Sequence, residues 1–67
     1  MNIGEIGQII KKRRDTLQIS QQTLSGVSGI AVHSVSNIEA GKGNPTVHTL
    51  NRVLDVLGME IRVAVKP

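Results

Sequence analysis

Apolar residues recur at helical spacing early in the chain: Ile6, Ile10 and Leu17, with Ile3 and Ile9 flanking the same stripe. That period predicts an amphipathic helix, and Asn2 followed by Glu5 has the form of a capping pair at its start. Ser20 stands as an N-cap before Gln21, Gln22, Thr23 and Leu24, with Ile19 placed to staple the entry to a second helix. The apolar positions of that helix are Leu24 and Val27. Ser25, Gly26 and Ser28 are small enough to admit a crossing helix, and Gly29, free to take positive φ, ends the segment in a tight turn. Ile30 leads into a third helix from about Ala31 to Ala40, closed by Gly41. After the loop Lys42, Gly43, Asn44, Pro45, Thr46 caps a fourth helix with Leu50, Val53, Leu54 and Leu57 at i, i+3, i+4 and i+7, and Gly58 stops it. From Met59 the period changes to two. Ile61, Val63 and Val65 alternate with Glu60, Arg62, Ala64 and Lys66, the pattern of a half-buried strand.

It is the only strand pattern in the chain. A lone strand cannot satisfy its own backbone groups, so residues 59–67 are expected to pair outside the subunit, most economically with a second copy, through Met59, Ile61, Val63 and Val65. The alternative is a tail that alternates by chance.

The basic run Lys11, Lys12, Arg13, Arg14 is not one patch, because at about 100° per residue four consecutive side chains spread around most of a helix. Arg14 lies four residues after Ile10 and three before Leu17, on the inward side, whereas the other three are expected to form a solvated face. An inward guanidinium needs an acid, since an unpaired buried charge costs several kcal/mol. Projection of the third helix places Glu39 with Val35 and Ile38 on its inner side, so Glu39 is the expected partner. His33, Ser36, Asn37 and Ala40 lie opposite, flanked by Val32 and Ser34. That outer face has no acid and several uncharged donors and acceptors, which suits the floor of a groove.

Length and composition narrow the reading. A chain of 67 residues is one small domain, or a piece of one, and at that size only about 60% of the unfolded surface is buried, which leaves little room for an enclosed catalytic pocket. Hydrophobic residues make up 39% of the chain, yet none is Phe, Trp or Tyr, and no Cys is present to form disulfides or zinc sites. A core this thin points to self-association for support. Eight Lys and Arg against five Asp and Glu give a net charge of +3, favouring an anionic partner. The lack of aromatic rings disfavours single-stranded nucleic acid, whose bases stack on such rings, and leaves duplex DNA as the better candidate.

No apolar run approaches the roughly 18 residues of a membrane span, so no membrane role and a cytoplasmic location are expected. His33 and His48 fall on separate helices without further ligands, so no metal is expected. No Ser stands in a readable triad with His and a carboxylate, and no Gly-rich phosphate loop follows a strand; neither an enzyme nor a cofactor is expected.

Ser20-Gln21 opening a helix, Gly29-Ile30 at the turn, Val35, Ile38-Glu39 with Gly41-Lys42, Asn44-Pro45-Thr46 and Leu50 to Leu57-Gly58 form an ordered set. From about Ile6 to Gly58 the chain resembles the Xre-type helix-turn-helix regulators, the family of the phage lambda repressor and Cro. With the strand added, it is most similar to the HipB-type antitoxins, whose dimers are joined by a C-terminal strand from each subunit. The resemblance implies an all-α fold: a compact four- to five-helix lambda-repressor-like DNA-binding domain over residues 1–58, then a dimerisation strand over 59–67.

It also implies roles. Ser20 to Val27 would be the positioning helix, with Gln21 and Gln22 at its start near the DNA backbone. Ala31 to Ala40 would be the recognition helix, presenting Val32, His33, Ser34, Ser36 and Asn37 to the major groove, and Lys42 and Asn44 would clasp phosphates beyond it. Arg14 with Glu39 matches the family's internal ion pair. The function implied is that of a sequence-specific transcriptional regulator, a repressor that reads an inverted repeat as a homodimer in a bacterial or phage cytoplasm. An antitoxin role, with a HipA-like toxin kinase as partner, belongs to the same reading; the alternative is a protein-interaction module that binds and neutralises a partner toxin, with DNA binding secondary. Val32 and Ala31 depart from the polar or Arg and the Ser or Thr common in relatives, and Thr23 and Thr49 stand where an acid is frequent.

Overall fold

The computed structural model describes residues 1–67 as four helices and no strand: α1 (Ile3–Thr16), α2 (Gln21–Ser28), α3 (Val32–Glu39) and α4 (Val47–Val56). Each helix begins where a cap or fixed turn supplies its free N–H groups with an acceptor or leaves them to solvent. Asn2 accepts from the Glu5 N–H at 2.9 Å and donates to its carboxylate at 3.0 Å, closing the capping pair. Ser20 and Thr46 cap α2 and α4 through the Thr23 and Thr49 N–H groups. In place of a reciprocal acid, the threonine hydroxyls meet the cap hydroxyls, at 3.0 Å for Ser20–Thr23 and 3.1 Å for Thr46–Thr49. At α3 the cap position is Ala31, which has no side-chain acceptor to offer.

Eight side chains form the core: Ile10 from α1, Leu24 from α2, Val35 and Ile38 from α3, Leu50, Val53 and Leu54 from α4, and Leu57 at its end. Ile6, Ile19, Ile30, Val56 and Met59 pack against them. With burial of each core side chain contributing about 1.5–3 kcal/mol, little surplus is available, and close backbone packing matters correspondingly. The closest approach is at Gly7, buried where α1 crosses α3: a Cβ there would run into the Ile38 carbonyl oxygen. At the α2–α3 turn, Gly29 adopts φ 75°, the left-handed conformation that an L side chain resists. The turn is closed by the buried Ser28 hydroxyl, which accepts from the Ile30 N–H at 3.2 Å, and by Arg52 of α4, whose Nε donates to the Ser28 carbonyl at 2.8 Å.

Several expectations are corrected. The chain does not form a strand over Met59 to Val65: residues 59–67 have no regular secondary structure, and beyond the Met59 N–H, which donates to the Leu54 carbonyl, no residue of the segment makes a backbone hydrogen bond. The physical reason is that all its neighbours are helices, which offer no edge for a ladder. Leu17 is 41% exposed because α1 ends at Thr16 and the chain turns away. Val27 is 68% exposed, and Gly26 faces open space, so α2 meets its neighbours through Leu24 and Ser28 instead. Arg13 is not simply solvated: its Nε donates to the Leu57 carbonyl at 2.9 Å, tying α1 to the end of α4.

Candidate nucleic-acid interface

The outer surface of α3 is a continuous arc. At about 100° per residue, Val32, Ser36, Ala40, His33, Asn37 and Ser34 follow one another around roughly 200° of the helix, and Ile38, Val35 and Glu39 fill the remainder. Burial follows this division: Val35, Ile38 and Glu39 are buried, whereas Val32, His33, Ser36 and Ala40 are exposed and Ser34 and Asn37 half-buried. Asn37 lies one turn beyond His33. With the ring proton on Nδ1, His33 Nε2 accepts from Asn37 Nδ2 at 3.3 Å, so the two side chains lean together on the exposed face.

Ser34 and Asn37 also line a shallow polar concavity of about 290 Å³ with Lys42, Gly43, Asn44, Pro45, Thr46 and Thr49. The loop after α3 therefore does not stand apart from the helix; it curls back beside it, and the start of α4 closes the far side. Thus four of the residues expected at DNA, Ser34, Asn37, Lys42 and Asn44, share one depression. Gln22, Val32, His33 and Ser36 lie outside its lining, exposed on α2 and α3.

Gln21 is placed differently from the rest. Its side-chain amide is half-buried, and Nε2 donates to Glu39 Oε1 at 3.1 Å. The same carboxylate receives Arg14 Nε at 2.7 Å and Nη2 at 2.9 Å, while Arg14 Nη1 donates to the Ile19 carbonyl at 2.8 Å. Burial alone would push the Glu39 pKa upward. The hydrogen bonds from Arg14 and Gln21 and the charges of Arg14 and Lys11 outweigh it and hold the carboxyl below the ordinary range. For Arg14, the hydrogen bond to Glu39 outweighs burial and raises its pKa. The result is a charged pair that is internally neutral, with side-chain exposures of 11% and 3%.

The electrostatic consequence extends over the whole face. Between Thr16 and Leu54 the only acid is Glu39, and Arg14 neutralises it. No acid occupies the first turn of α2, α3 or α4, so the partial positive charge at these helix starts is not offset locally. Sequence reasoning missed Gly43, Thr46 and Thr49 as part of this surface. Thr46 was legible as a cap next to the loop donors, but only the path of the loop brings it beside Asn37. It also missed Lys11, whose charge acts on Glu39 from α1.

A helix-turn-helix family model matches residues 10–63, most of the chain, and the protein belongs to that family. Among known proteins the chain is similar to the uncharacterized HTH-type transcriptional regulator y4mF of Sinorhizobium fredii (strain NBRC 101917 / NGR234), with 28% identity over 60 residues, which cover 90% of this chain and 79% of the relative. The matched span includes α2, the turn at Gly29 and α3. No helix is long and apolar enough to cross a membrane, and no cluster of three or more His, Cys, Asp or Glu is present.

Proposed function

We propose that the protein is a transcriptional regulator that reads duplex DNA in a sequence-specific manner, with α3 as the recognition helix. The observation that carries this reading is the exposed arc of α3: uncharged hydrogen-bonding groups without an acid, continuous with the cationic and amide donors of the following loop. An α-helix fits the major groove, where base edges present donor and acceptor patterns that Asn, Ser and His can address. Asn37, set by its contact with His33, is placed to meet an adenine edge or a phosphate. His33 can donate to guanine, Val32 can cover a thymine methyl, and Ser34 and Ser36 add hydroxyls on either side. Lys42 and Asn44 clasp the phosphate backbone flanking the groove, where the start of α4 adds its dipole. At the start of α2, Gln22 is free to reach a phosphate. Gln21 positions the helix pair through Glu39 before it contacts anything outside.

One α3 arc covers only a few base pairs, so specific binding calls for two. The active form is a homodimer whose recognition helices enter successive major grooves about 34 Å apart and read an inverted repeat. Pairing of residues 59–65 between two copies would satisfy the backbone groups left open in the single chain. Bound at a promoter, the dimer excludes RNA polymerase and represses. With about six to ten phosphate contacts, its affinity falls by about 10³ to 10⁵ between 50 and 200 mM salt.

Selection from a random duplex library with the purified protein tests this directly. Enrichment of an inverted repeat with half-sites about one helical turn apart is the expected outcome. Folded protein that enriches nothing would overturn the reading and turn attention to a protein partner, such as a toxin, as the primary ligand.

A further inference from the structure

The cationic side chains of the protein divide by type. All four arginines are engaged within the molecule: Arg13 on the Leu57 carbonyl, Arg14 on Glu39, Arg52 on the Ser28 carbonyl and Arg62 on Glu60. Lys11, Lys12, Lys42 and Lys66 are exposed and make no hydrogen bond or ion pair within the chain, so the charge open to an anionic partner is lysine charge. Lys11 and Lys12 are neighbours in sequence but face different ways. At about 100° per residue, Gly7, Lys11 and Arg14 fall within about 60° of one another on α1, whereas Lys12 stands about 140° from Gly7. Both ends of that stripe meet the C-terminal end of α3: Gly7 lies against the Ile38 and Glu39 carbonyls, and Arg14 holds the Glu39 carboxylate. Lys11, between them, is held beside Glu39, and its charge helps to keep that carboxyl ionised. Lys12 instead lines a hollow with Ile9, Arg13, Thr16 and Met59, on the side of the C-terminal segment.

We infer that Lys11 is a phosphate contact, the cation that meets the DNA backbone on the side of α3 opposite Lys42. The inference rests on the DNA-reading role of α3 above and adds to it a residue from α1. A helix in the major groove lies between two phosphate walls, one from each strand. Ser34 and Asn37 border the concavity that holds Lys42 and Asn44, so those two serve the wall along that edge of the arc. The opposite edge is Val32, and the next side chain round the helix, about 20° on, is Glu39. At Glu39 the start of α2 and the exposed stripe of α1 come together: Gln21 donates to its carboxylate at 3.1 Å, and Lys11 stands beside it. Without Lys11 the second wall is met by Gln22, an exposed but uncharged group. Arg14 does not serve instead, because its guanidinium is engaged by Glu39 and the Ile19 carbonyl. An ammonium on a flexible four-carbon stem suits the position, for it meets a phosphate as a point charge without requiring a fixed planar approach.

The salt dependence of DNA binding separates the two neighbouring lysines. Glutamine removes the charge but keeps most of the stem and the helix propensity, so Lys11→Gln and Lys12→Gln should both show the wild-type helical circular dichroism. On an operator taken from the duplex selection, Lys11→Gln should bind about tenfold more weakly at 50 mM salt, and its slope of log affinity against log salt should fall by about 0.9 for each half-site. The loss should be the same on a scrambled duplex, because a phosphate contact carries no sequence information. Lys12→Gln, with the same net charge, should keep the wild-type slope, and Lys11→Arg should restore it. A Lys11→Gln protein with the wild-type slope would overturn the inference, and so would a Lys12→Gln protein that loses as much, since the effect would then follow net charge rather than place. In either case a lowered slope in Lys42→Ala would leave the DNA-reading role of α3 standing. A folded wild type that binds no duplex would remove that role itself.

Discussion

Arg14 on α1 grips Glu39 at the end of α3 with both edges of its guanidinium, Nε to Oε2 at 2.7 Å and Nη2 to Oε1 at 2.9 Å. Gln21 at the start of α2 donates to the same carboxylate, so one acid joins three helices, including the two on either side of the Gly29 turn. Planar, two-pronged pairing of this kind fixes orientation as well as distance. In a molecule with eight core side chains, that orientation cannot be left to packing alone.

Breaking one side of this pair should be far worse than removing both. Glu39→Ala leaves the largely buried Arg14 guanidinium with only the exposed Asp15 carboxylate, 3.5 Å from Nη1, and the Ile19 carbonyl, at a cost of up to about 3–5 kcal/mol, comparable with the whole stability expected of a domain this size, about 3–10 kcal/mol. The paired replacement Arg14→Met/Glu39→Leu removes both charges together and should stay folded. Urea titrations followed by circular dichroism compare the two; equal losses would mean that the pair contributes only through its volume.

Acid should loosen the same junction. The folded-state pKa of Glu39 is depressed, so its contribution is fully present above the unfolded value of about 4.5 and is lost as pH falls below that value through the folded pKa. Stability measured from pH 7 down to pH 3 should therefore fall more steeply in the wild type than in Arg14→Met/Glu39→Leu. Parallel curves would assign the acid sensitivity elsewhere.

Two glycines in helices should respond to alanine with opposite signs. At Gly7 a Cβ collides with the Ile38 carbonyl oxygen and comes within 3.0 Å of the Glu39 carbonyl oxygen, so α1 must lift from α3 at a cost of about 1–3 kcal/mol or more. At Gly26 nothing lies within 4 Å, and Gly26→Ala should stabilise α2 by about 0.5–1 kcal/mol through helix propensity alone. Thermal melts of the two variants decide this; destabilisation by Gly26→Ala would reveal a crossing partner on that face.

Substitutions on the proposed DNA face should separate affinity from specificity. Lys42→Ala should weaken binding about equally for all sequences and lower the salt slope by about one for each half-site. Asn37→Ala should cost about 1–3 kcal/mol at the base pair it addresses and relax the preference there. Neither side chain is in the core, so both variants should melt like the wild type. Fluorescence anisotropy against a selected operator and a scrambled duplex measures both effects. An Asn37→Ala variant with unchanged discrimination would move base reading to other residues of the arc.

The helices were legible because their signals are local. Asn2 with Glu5, Ser20 and Thr46 as caps, and Gly29, Gly41 and Gly58 at positive φ act within a turn of where they stand. Periodicity then assigned each helix an inner face, and for α3 that was enough to set Glu39 inward and the His33–Asn37 side outward. Less could be read where a helix end decides exposure. Leu17 and Val27 fit their stripes, but α1 stops short of the first, and no neighbour covers the second.

By itself the sequence determined the helical architecture, the acid-free outer arc of α3 and the need of Arg14 for an inward acid, because spacing, caps and charge are properties of adjacent residues. Only the tertiary structure decided that Gln21 spends its amide on Glu39, that Thr46 and Thr49 stand beside Asn37, and that Arg13 and Arg52 each close a helix end. Those relations join residues 18 to 44 positions apart or depend on how a loop returns, and no local period encodes such distances. The segment after Met59 shows the same division: its alternation is written in the chain, but a strand needs an edge to pair with, and this all-helical fold offers none.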